Sequence, residues 1–389
     1  PPTEEPGPLR RHPQQVFDTT DMDFSQTPFI VIWETTQACD LACVHCRAEA
    51  QPAPLPGELT PSEGLALLDQ IAELDAAICV LSGGDPLKRQ DLLTLIRHGK
   101  QRGLRMGTIP AATPRLTEAV VRDLKAAGLD QMALSLDFST AEAHDRFRGV
   151  AGAFAKVMEA AGWAHRASLP LQLNTVISAM NLHDLDALIA LVQRLGIVFW
   201  EVFFLVPVGR GSAVPALTAS QHEDAFAKLY ALSLAAPFII KVTEAMQYRR
   251  YRLQRQRAEG IVPPSPNGHA RQIGVSAQVV NAGKGHVFIS SVGEVCPSGF
   301  LPLSIGNIRQ TLLAQLYRDA PLMRRLRDPA LLKGRCGCCE FRMICGGSRA
   351  RAYAMTGDYL AEDPSCAYQP RVDSHAPSQY HSPLDVPAR

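Results

Sequence analysis

The sequence has no excess of charge of either sign, no long apolar run and no signal-peptide pattern. Its 389 residues carry a formal net charge of +1, which gives no electrostatic reason to expect nucleic acid or an anionic membrane as a partner. No apolar run reaches the roughly 18 residues that a membrane-spanning helix needs. The N-terminal residues lack the basic, apolar and small-residue regions of a signal peptide, so we expect a cytoplasmic protein.

Cysteine, in contrast, is abundant and clustered. Three of the ten cysteines lie at 39–46 and five at 336–366, whereas Cys79 and Cys296 stand apart. This is not the spacing of a disulfide framework, and in a reducing compartment such clusters indicate metal or redox chemistry. Cys79, inside an apolar run, is predicted to be a core residue.

Between residues 28 and 206, apolar β-branched runs alternate with segments of helical period. Six strands are predicted, at 28–33, 78–82, 104–109, 132–136, 171–177 and 199–206. Helices are predicted between them, at 61–74, 90–102, 116–127, 140–147, 152–166 and 182–195. Such alternation implies an α/β fold with parallel strands, either an open sheet or a barrel, and ligands at the carboxyl ends of the strands.

After residue 206 the alternation ends. Helices are predicted at 219–235 and 243–258, and a hairpin at 277–281 and 286–290. We expect flexible tails at 1–27 and 373–389. Between them we expect a strand–helix domain at 28–206, a bridging region at 207–285 and a C-terminal cysteine domain at 286–372.

Cys39, Cys43 and Cys46 directly follow the first predicted strand. Three thiolates on one loop suit a [4Fe–4S] cluster, which normally takes four cysteines, so that one iron stays open for the amino and carboxylate groups of a small molecule. The alternative is zinc with His45 as the fourth ligand. Because His45 and Cys46 are adjacent, they can hardly bind one tetrahedral ion together.

This CxxxCxxC loop resembles that of the radical S-adenosylmethionine (SAM) superfamily, whose core is a partial (β/α)6 barrel. Ser82-Gly-Gly-Asp-Pro86 is similar to the family's GGEP motif, with Asp85 at the usual Glu. The resemblance implies that SAM is cleaved reductively to a 5′-deoxyadenosyl radical, with an external donor such as flavodoxin or ferredoxin. It implies SAM contacts at His45, Gly83, Gly84, Asp85, Pro86, Ser135, Asp137, Asn174, Leu205 and Val206.

The second cysteine cluster suits either a further [4Fe–4S] cluster or a structural zinc, and spacing alone does not separate the two. The presence of a single CxxC motif favours an iron–sulfur cluster over a structural zinc. The segment resembles the SPASM or twitch-like extension of radical SAM enzymes, but Arg349 stands where that pattern has a cysteine. We therefore predict one auxiliary [4Fe–4S] cluster, with Cys338 a spare thiol. Cys296 is expected to be a buried structural cysteine, to face the substrate or to ligate a second centre. The predicted ligands are Cys336, Cys339, Cys345 and Cys366.

The stretch from Cys345 to Cys366 resembles enzymes that modify the propionate side chains of heme precursors. Arg349, Arg351 and the arginines at 249–257 are then expected to bind carboxylates, although the 249–257 run equally suits a solvated helix face. Glu34, Glu201 and Glu244 are candidate acids or bases by position only.

Two other classes of function remain open. The first is radical crosslinking of a ribosomal peptide. Only some 27 residues precede the first strand, so we expect no leader-peptide-binding module there. The second is a non-catalytic iron–sulfur protein that carries electrons, which the complete set of predicted SAM motifs argues against.

Overall fold

The computed structural model describes residues 22–261 and 280–371. Its strands are β1 Ile30–Glu34, β2 Ile78–Ser82, β3 Arg105–Thr108, β4 Gln131–Ser135, β5 Leu171–Ile177, β6 Phe199–Phe204, β7 Ile239–Thr243, β8 His286–Ile289, β9 Glu294–Cys296 and β10 Gly306–Asn307. Its α-helices are α1 Pro61–Glu73, α2 Leu92–Gln101, α3 Glu118–Ala126, α4 Ala141–Arg148, α5 Ala153–Arg166, α6 Leu185–Arg194, α7 Ala219–Ala235, α8 Gln247–Ala258, α9 Leu313–Asp319, α10 Pro321–Arg327, α11 Gly334–Cys338 and α12 Arg349–Thr356.

The ten strands of the described residues form one sheet in the order β10-β9-β8-β1-β2-β3-β4-β5-β6-β7. Strands β8 and β1 to β7 are parallel, and β9 and β10 add antiparallel pairs at one edge. The predicted α/β fold and its six-strand array are confirmed. Strand β7 was not predicted, although its run of Ile, Val and Thr has the β-branched composition of the other strands.

The eight parallel strands curl around a cavity, as in a partial barrel. Alternate residues of each strand point to opposite faces of a sheet. Trp33, Cys79 and Trp200 belong to the face that packs under the helices, and each is completely buried. Residues of the other parity, such as Ile32, Val80 and Glu201, line the cavity. Cys79 is a core residue, as predicted.

The first helix begins where the sequence predicts it. The Thr60 hydroxyl accepts a hydrogen bond from the Glu63 backbone N–H, and the Thr60 N–H donates to the Glu63 carboxylate. This reciprocal pair satisfies two of the N–H groups that a helix start leaves without partners. This cap makes α1 begin at Pro61, and α1 lies between β1 and β2 in the chain.

Several predicted boundaries need correction. Residues 22–27 are packed rather than a tail, since Phe24 is buried and its carbonyl accepts the Tyr317 hydroxyl at 2.7 Å. The predicted boundary at residue 286 cuts the sheet, because β8 pairs with both β1 and β9. Residues 1–21, 372–389 and 277–279, the start of the predicted hairpin, lie outside the described residues. Within the described part of the chain, no helix is long and apolar enough to span a membrane.

Candidate functional site

Cys39, Cys43 and Cys46 lie in the loop after β1 and line one cavity of about 220 Å³, which we call the cysteine cavity. Each sulfur accepts a hydrogen bond. The N–H groups of Leu41 and Ala50 donate to the sulfurs of Cys39 and Cys46 at 3.3 and 3.5 Å. The Arg148 guanidinium donates to the Cys43 sulfur at 3.7 Å. These donors stabilise a thiolate more than a thiol.

Burial has the opposite effect on these thiols. It raises the pKa of Cys39 to about 11 and also raises the pKa of Cys43. A thiol that coordinates a metal loses its proton despite such burial. Three sulfurs around one cavity fit the three-cysteine ligand set of a SAM-binding [4Fe–4S] cluster.

The Gly83-Gly84 turn packs directly against the cysteine loop. Gly83 has φ +149°, and a Cβ atom at Gly84 would lie 2.5 Å from the Ala38 carbonyl oxygen. The Gly84 N–H donates to the Thr36 carbonyl at 2.8 Å. Only glycine fits this contact, so the pair of glycines brings the end of β2 against the first cysteine.

Five of the predicted SAM contacts line the cysteine cavity, namely His45, Gly83, Gly84, Ser135 and Asn174. The other five do not line it, and they are Asp85, Pro86, Asp137, Leu205 and Val206. For Asp85 the reason is that its carboxylate is already occupied. It accepts from the N–H groups of Leu87 and Ala111 and from the Thr113 hydroxyl, at 3.1 to 3.2 Å. Asp85 thus holds the loop after β2 against residues 111–113, and the next residue, Pro86, is buried.

Asp137, Leu205 and Val206 are buried and do not line the cysteine cavity. Asp137 is completely buried, forms an ion pair with Arg148, and accepts the Val176 N–H at 2.9 Å. Leu205 and Val206 are buried, and the Leu205 carbonyl accepts from Arg351 at 3.1 Å. Asp137 therefore acts on the cysteine cavity through Arg148.

Three arginines that the sequence did not indicate as site residues line the cysteine cavity, and they are Arg47, Arg148 and Arg210. Arg148, at the end of α4, bridges Asp137 and Cys43. The Arg210 Nε donates to the Cys43 carbonyl at 3.0 Å, and its Nη2 is buried without a hydrogen-bond partner among the described residues. No local motif marks Arg148 or Arg210, because only the fold brings them to the cysteines.

A second cavity, of about 250 Å³, lies on the concave side of the sheet, and we call it the barrel cavity. It is contiguous with the cysteine cavity, because both are lined by Arg47, Ser82, Ile109, Phe203 and Phe300. Its wall is mainly apolar, with side chains that include Ile30, Ile32, Ile78, Val80, Phe199 and Phe288.

Charged groups of the barrel cavity are mostly paired. Arg47 pairs with Glu34, and Lys241 with Glu201, each at 2.8 Å. Glu201 and Glu244 line the cavity, whereas Glu34 does not. Glu244 has φ +57°, burial raises the pKa of its carboxyl group, and it accepts the Ser348 hydroxyl at 2.5 Å.

The C-terminal cysteines Cys336, Cys339, Cys345 and Cys366 line a third cavity together. N–H groups of the backbone donate to the sulfurs of Cys336, Cys339 and Cys345 at 3.4 to 3.5 Å. Cys338 is exposed and lies outside this cavity. Among the residues that the structure describes, no three Cys, His, Asp or Glu side chains converge as ligands of a single metal ion.

The predicted substrate contacts at Arg349, Arg351 and Cys296 are not supported, because none of the three lines the barrel or the cysteine cavity. Arg349 and Arg351 are 1% exposed. Arg349 donates to the carbonyls of residues 359 and 361, and Arg351 to those of residues 204 and 205. Cys296 is buried in β9, which raises its pKa to about 12. Arg351 therefore joins the C-terminal segment to the barrel, whereas Arg349 holds that segment together.

Comparison with known proteins gives a consistent result. A family model described as the radical SAM superfamily matches residues 33–192. An AdoMet-dependent heme synthase of Methanosarcina barkeri is 38% identical, with 89% of this chain and 98% of the relative covered. One of Nitratidesulfovibrio vulgaris is 36% identical, with 92% and 98% covered. The crystal structure of Streptococcus suis SuiB bound to S-adenosylmethionine has the same fold, with a TM-score of 0.68, 15% identity, and 88% and 78% covered.

Proposed function

The chain belongs to the radical SAM superfamily, in the branch of the AdoMet-dependent heme synthases, and from this premise we propose that it removes carboxyl groups from tetrapyrrole propionates. It is a radical SAM enzyme whose cofactors are SAM and a [4Fe–4S] cluster. The observation that carries the proposal is the apolar barrel cavity that opens onto the cysteine cavity.

The proposed cluster ligands are Cys39, Cys43 and Cys46. When bound, the cluster and SAM supply a 5′-deoxyadenosyl radical that takes a hydrogen atom from the substrate. Arg148, which lines the same cavity, offers a cation for the SAM carboxylate. Further proposed SAM contacts are His45, Gly83, Gly84, Ser135 and Asn174.

The barrel cavity suits a large apolar ring with carboxylates at its edge. Ile, Val and Phe side chains form most of its wall, and Arg47, Lys241 and Arg249 are cations on it. Because Arg47, Phe203 and Phe300 belong to both cavities, a ring in the barrel cavity has an edge next to the cysteine cavity. Exclusion of water there protects a radical from side reactions.

The proposed reaction leaves one electron to be accepted. The C–H bond next to the ring breaks and the hydrogen atom leaves. The bond to the carboxylate then breaks, CO2 departs, a vinyl group forms and one electron is released. We propose that an auxiliary [4Fe–4S] cluster takes this electron, with Cys336, Cys339, Cys345 and Cys366 as ligands, since their four thiols line one cavity. The electron that starts the reaction would come from a cytoplasmic flavodoxin or ferredoxin.

Iron content tests the auxiliary cluster. Anaerobically reconstituted wild type should hold about eight irons, and Cys345→Ala about four. The Cys345→Ala variant should still cleave SAM, because the N-terminal cysteines are intact, but should form no vinyl group. Cys338→Ala is the matched control and should keep about eight irons. A Cys345→Ala variant with about eight irons would contradict the proposed ligand set.

The proposed function is tested with iron coproporphyrin III, a porphyrin with four propionates. Incubated with SAM and dithionite under anaerobic conditions, the enzyme should convert propionates to vinyl groups. Mass spectrometry should then detect the loss of CO2 and two hydrogens per side chain. An unchanged porphyrin, together with modification of a peptide encoded beside this gene, would favour peptide crosslinking instead.

A further inference from the structure

Arg249 differs from Arg47 and Lys241, two other cations of the barrel cavity, because no described carboxylate pairs with it, although the Cys345 sulfur is close enough to affect its charge. It lies in the first turn of α8, and its Nη2 donates to the Val280 carbonyl at 2.8 Å. Its Nη1 is buried and has no hydrogen-bond partner among residues 22–261 and 280–371. Arg47 and Lys241, in contrast, each pair with a carboxylate at 2.8 Å. A buried charge without a partner is costly, and a bound anion relieves this cost.

Burial lowers the pKa of Arg249 to about 10. Lys284 does not line the barrel cavity, but burial together with the Arg249 charge lowers its pKa. Neither residue forms an ion pair within the described part of the chain. Arg249 is thus the group of the two that can meet an anion in the barrel cavity.

The wall that carries Arg249 separates the barrel cavity from the C-terminal cysteines. Asn281 lines the barrel cavity, and its amide donates to the Gly347 carbonyl at 3.0 Å, two residues after Cys345. Glu244 lines the same cavity and accepts the Ser348 hydroxyl. Arg249 lines the barrel cavity but not the cysteine cavity. An anion at Arg249 therefore sits on the side facing the C-terminal cysteines.

We propose that Arg249 binds a propionate that does not react and so fixes the orientation of the tetrapyrrole in the barrel cavity. This inference rests on the proposed function. A planar guanidinium with a free Nη1 provides charge-assisted hydrogen bonds to a carboxylate. Arg249 is thereby a specificity-determining residue for carboxylated porphyrins.

The test compares the affinities of reconstituted full-length enzyme for iron coproporphyrin III and for its tetramethyl ester, which has the same ring without charges. Arg249→Gln should weaken binding of the acid about 10- to 100-fold, as expected for loss of a charge-assisted contact. Binding of the ester should not change, and Arg249→Lys should recover part of the affinity for the acid. Arg257→Gln, which removes an exposed charge from the same helix, is the control and should bind like wild type.

Three results would overturn this site. If Arg249→Gln binds the acid as wild type does, the contact is absent. An equal loss of affinity for acid and ester would mean that Arg249 acts through packing. If binding is unchanged but the iron content falls or the potential of the auxiliary cluster shifts, Arg249 compensates the charge of the cluster at Cys345 and does not bind a propionate. Wild type that binds neither porphyrin would instead contradict the proposed function itself, and the site with it.

Discussion

Cys43→Ala should abolish formation of 5′-deoxyadenosine from SAM and dithionite. The reason is that Cys43 is one of the three cysteines that line the cysteine cavity among the described residues, and its sulfur accepts a hydrogen bond from the Arg148 guanidinium. With two cysteines left, the cavity lacks the ligand set that holds the cluster. The product is measured by chromatography of the anaerobic reaction after reconstitution of the variant.

The matched control for this experiment is Cys338→Ala. Cys338 is also a free cysteine, but it is exposed and lies outside both cysteine-lined cavities. It should keep the wild-type rate. Wild-type rates of 5′-deoxyadenosine formation in Cys43→Ala would contradict the assignment of the N-terminal cysteines as cluster ligands.

Arg148→Met should have the largest effect on stability. Arg148 pairs with Asp137, and their side chains are 11% and 0% exposed. Removal of one partner leaves a buried charge uncompensated, which costs about 3–5 kcal/mol of unfolding free energy. The variant should also lose SAM affinity, because Arg148 lines the cysteine cavity. Denaturant unfolding and SAM titration measure the two effects separately.

A double variant separates the ion pair from the cavity. Arg148→Met with Asp137→Asn removes both charges, so it should recover most of the stability but none of the SAM affinity. Arg146→Met, an exposed arginine on the same helix, should leave both unchanged. If the double variant is as unstable as Arg148→Met, the ion pair is not the source of the stability.

Strands β2 and β5 illustrate what the sequence determines. Both are short apolar β-branched runs, and the structure gives them the predicted bounds, 78–82 and 171–177. The Gly83-Gly84 pair was identified through its motif, and the structure gives the local reason for it, because only glycine fits the close backbone contact there. Local chemistry is enough for such features.

Features that depend on long-range contacts were not predictable in this way. Arg148 meets Cys43 across 105 residues of sequence, and nothing in its helix marks that contact. Arg349 and Arg351 have the charge expected of substrate contacts, but the fold uses them to bind backbone carbonyls. Asp85 keeps the carboxylate of its motif, yet it accepts hydrogen bonds from Leu87 in its own loop and from Ala111 and Thr113 in the loop after β3.

We infer that this enzyme abstracts a hydrogen atom from a tetrapyrrole propionate, and iron coproporphyrin III deuterated at the propionate carbons attached to the ring tests this directly. We expect 5′-deoxyadenosine that contains one deuterium and forms in equal amount to the vinyl product. Unlabelled 5′-deoxyadenosine with an unchanged porphyrin would contradict it.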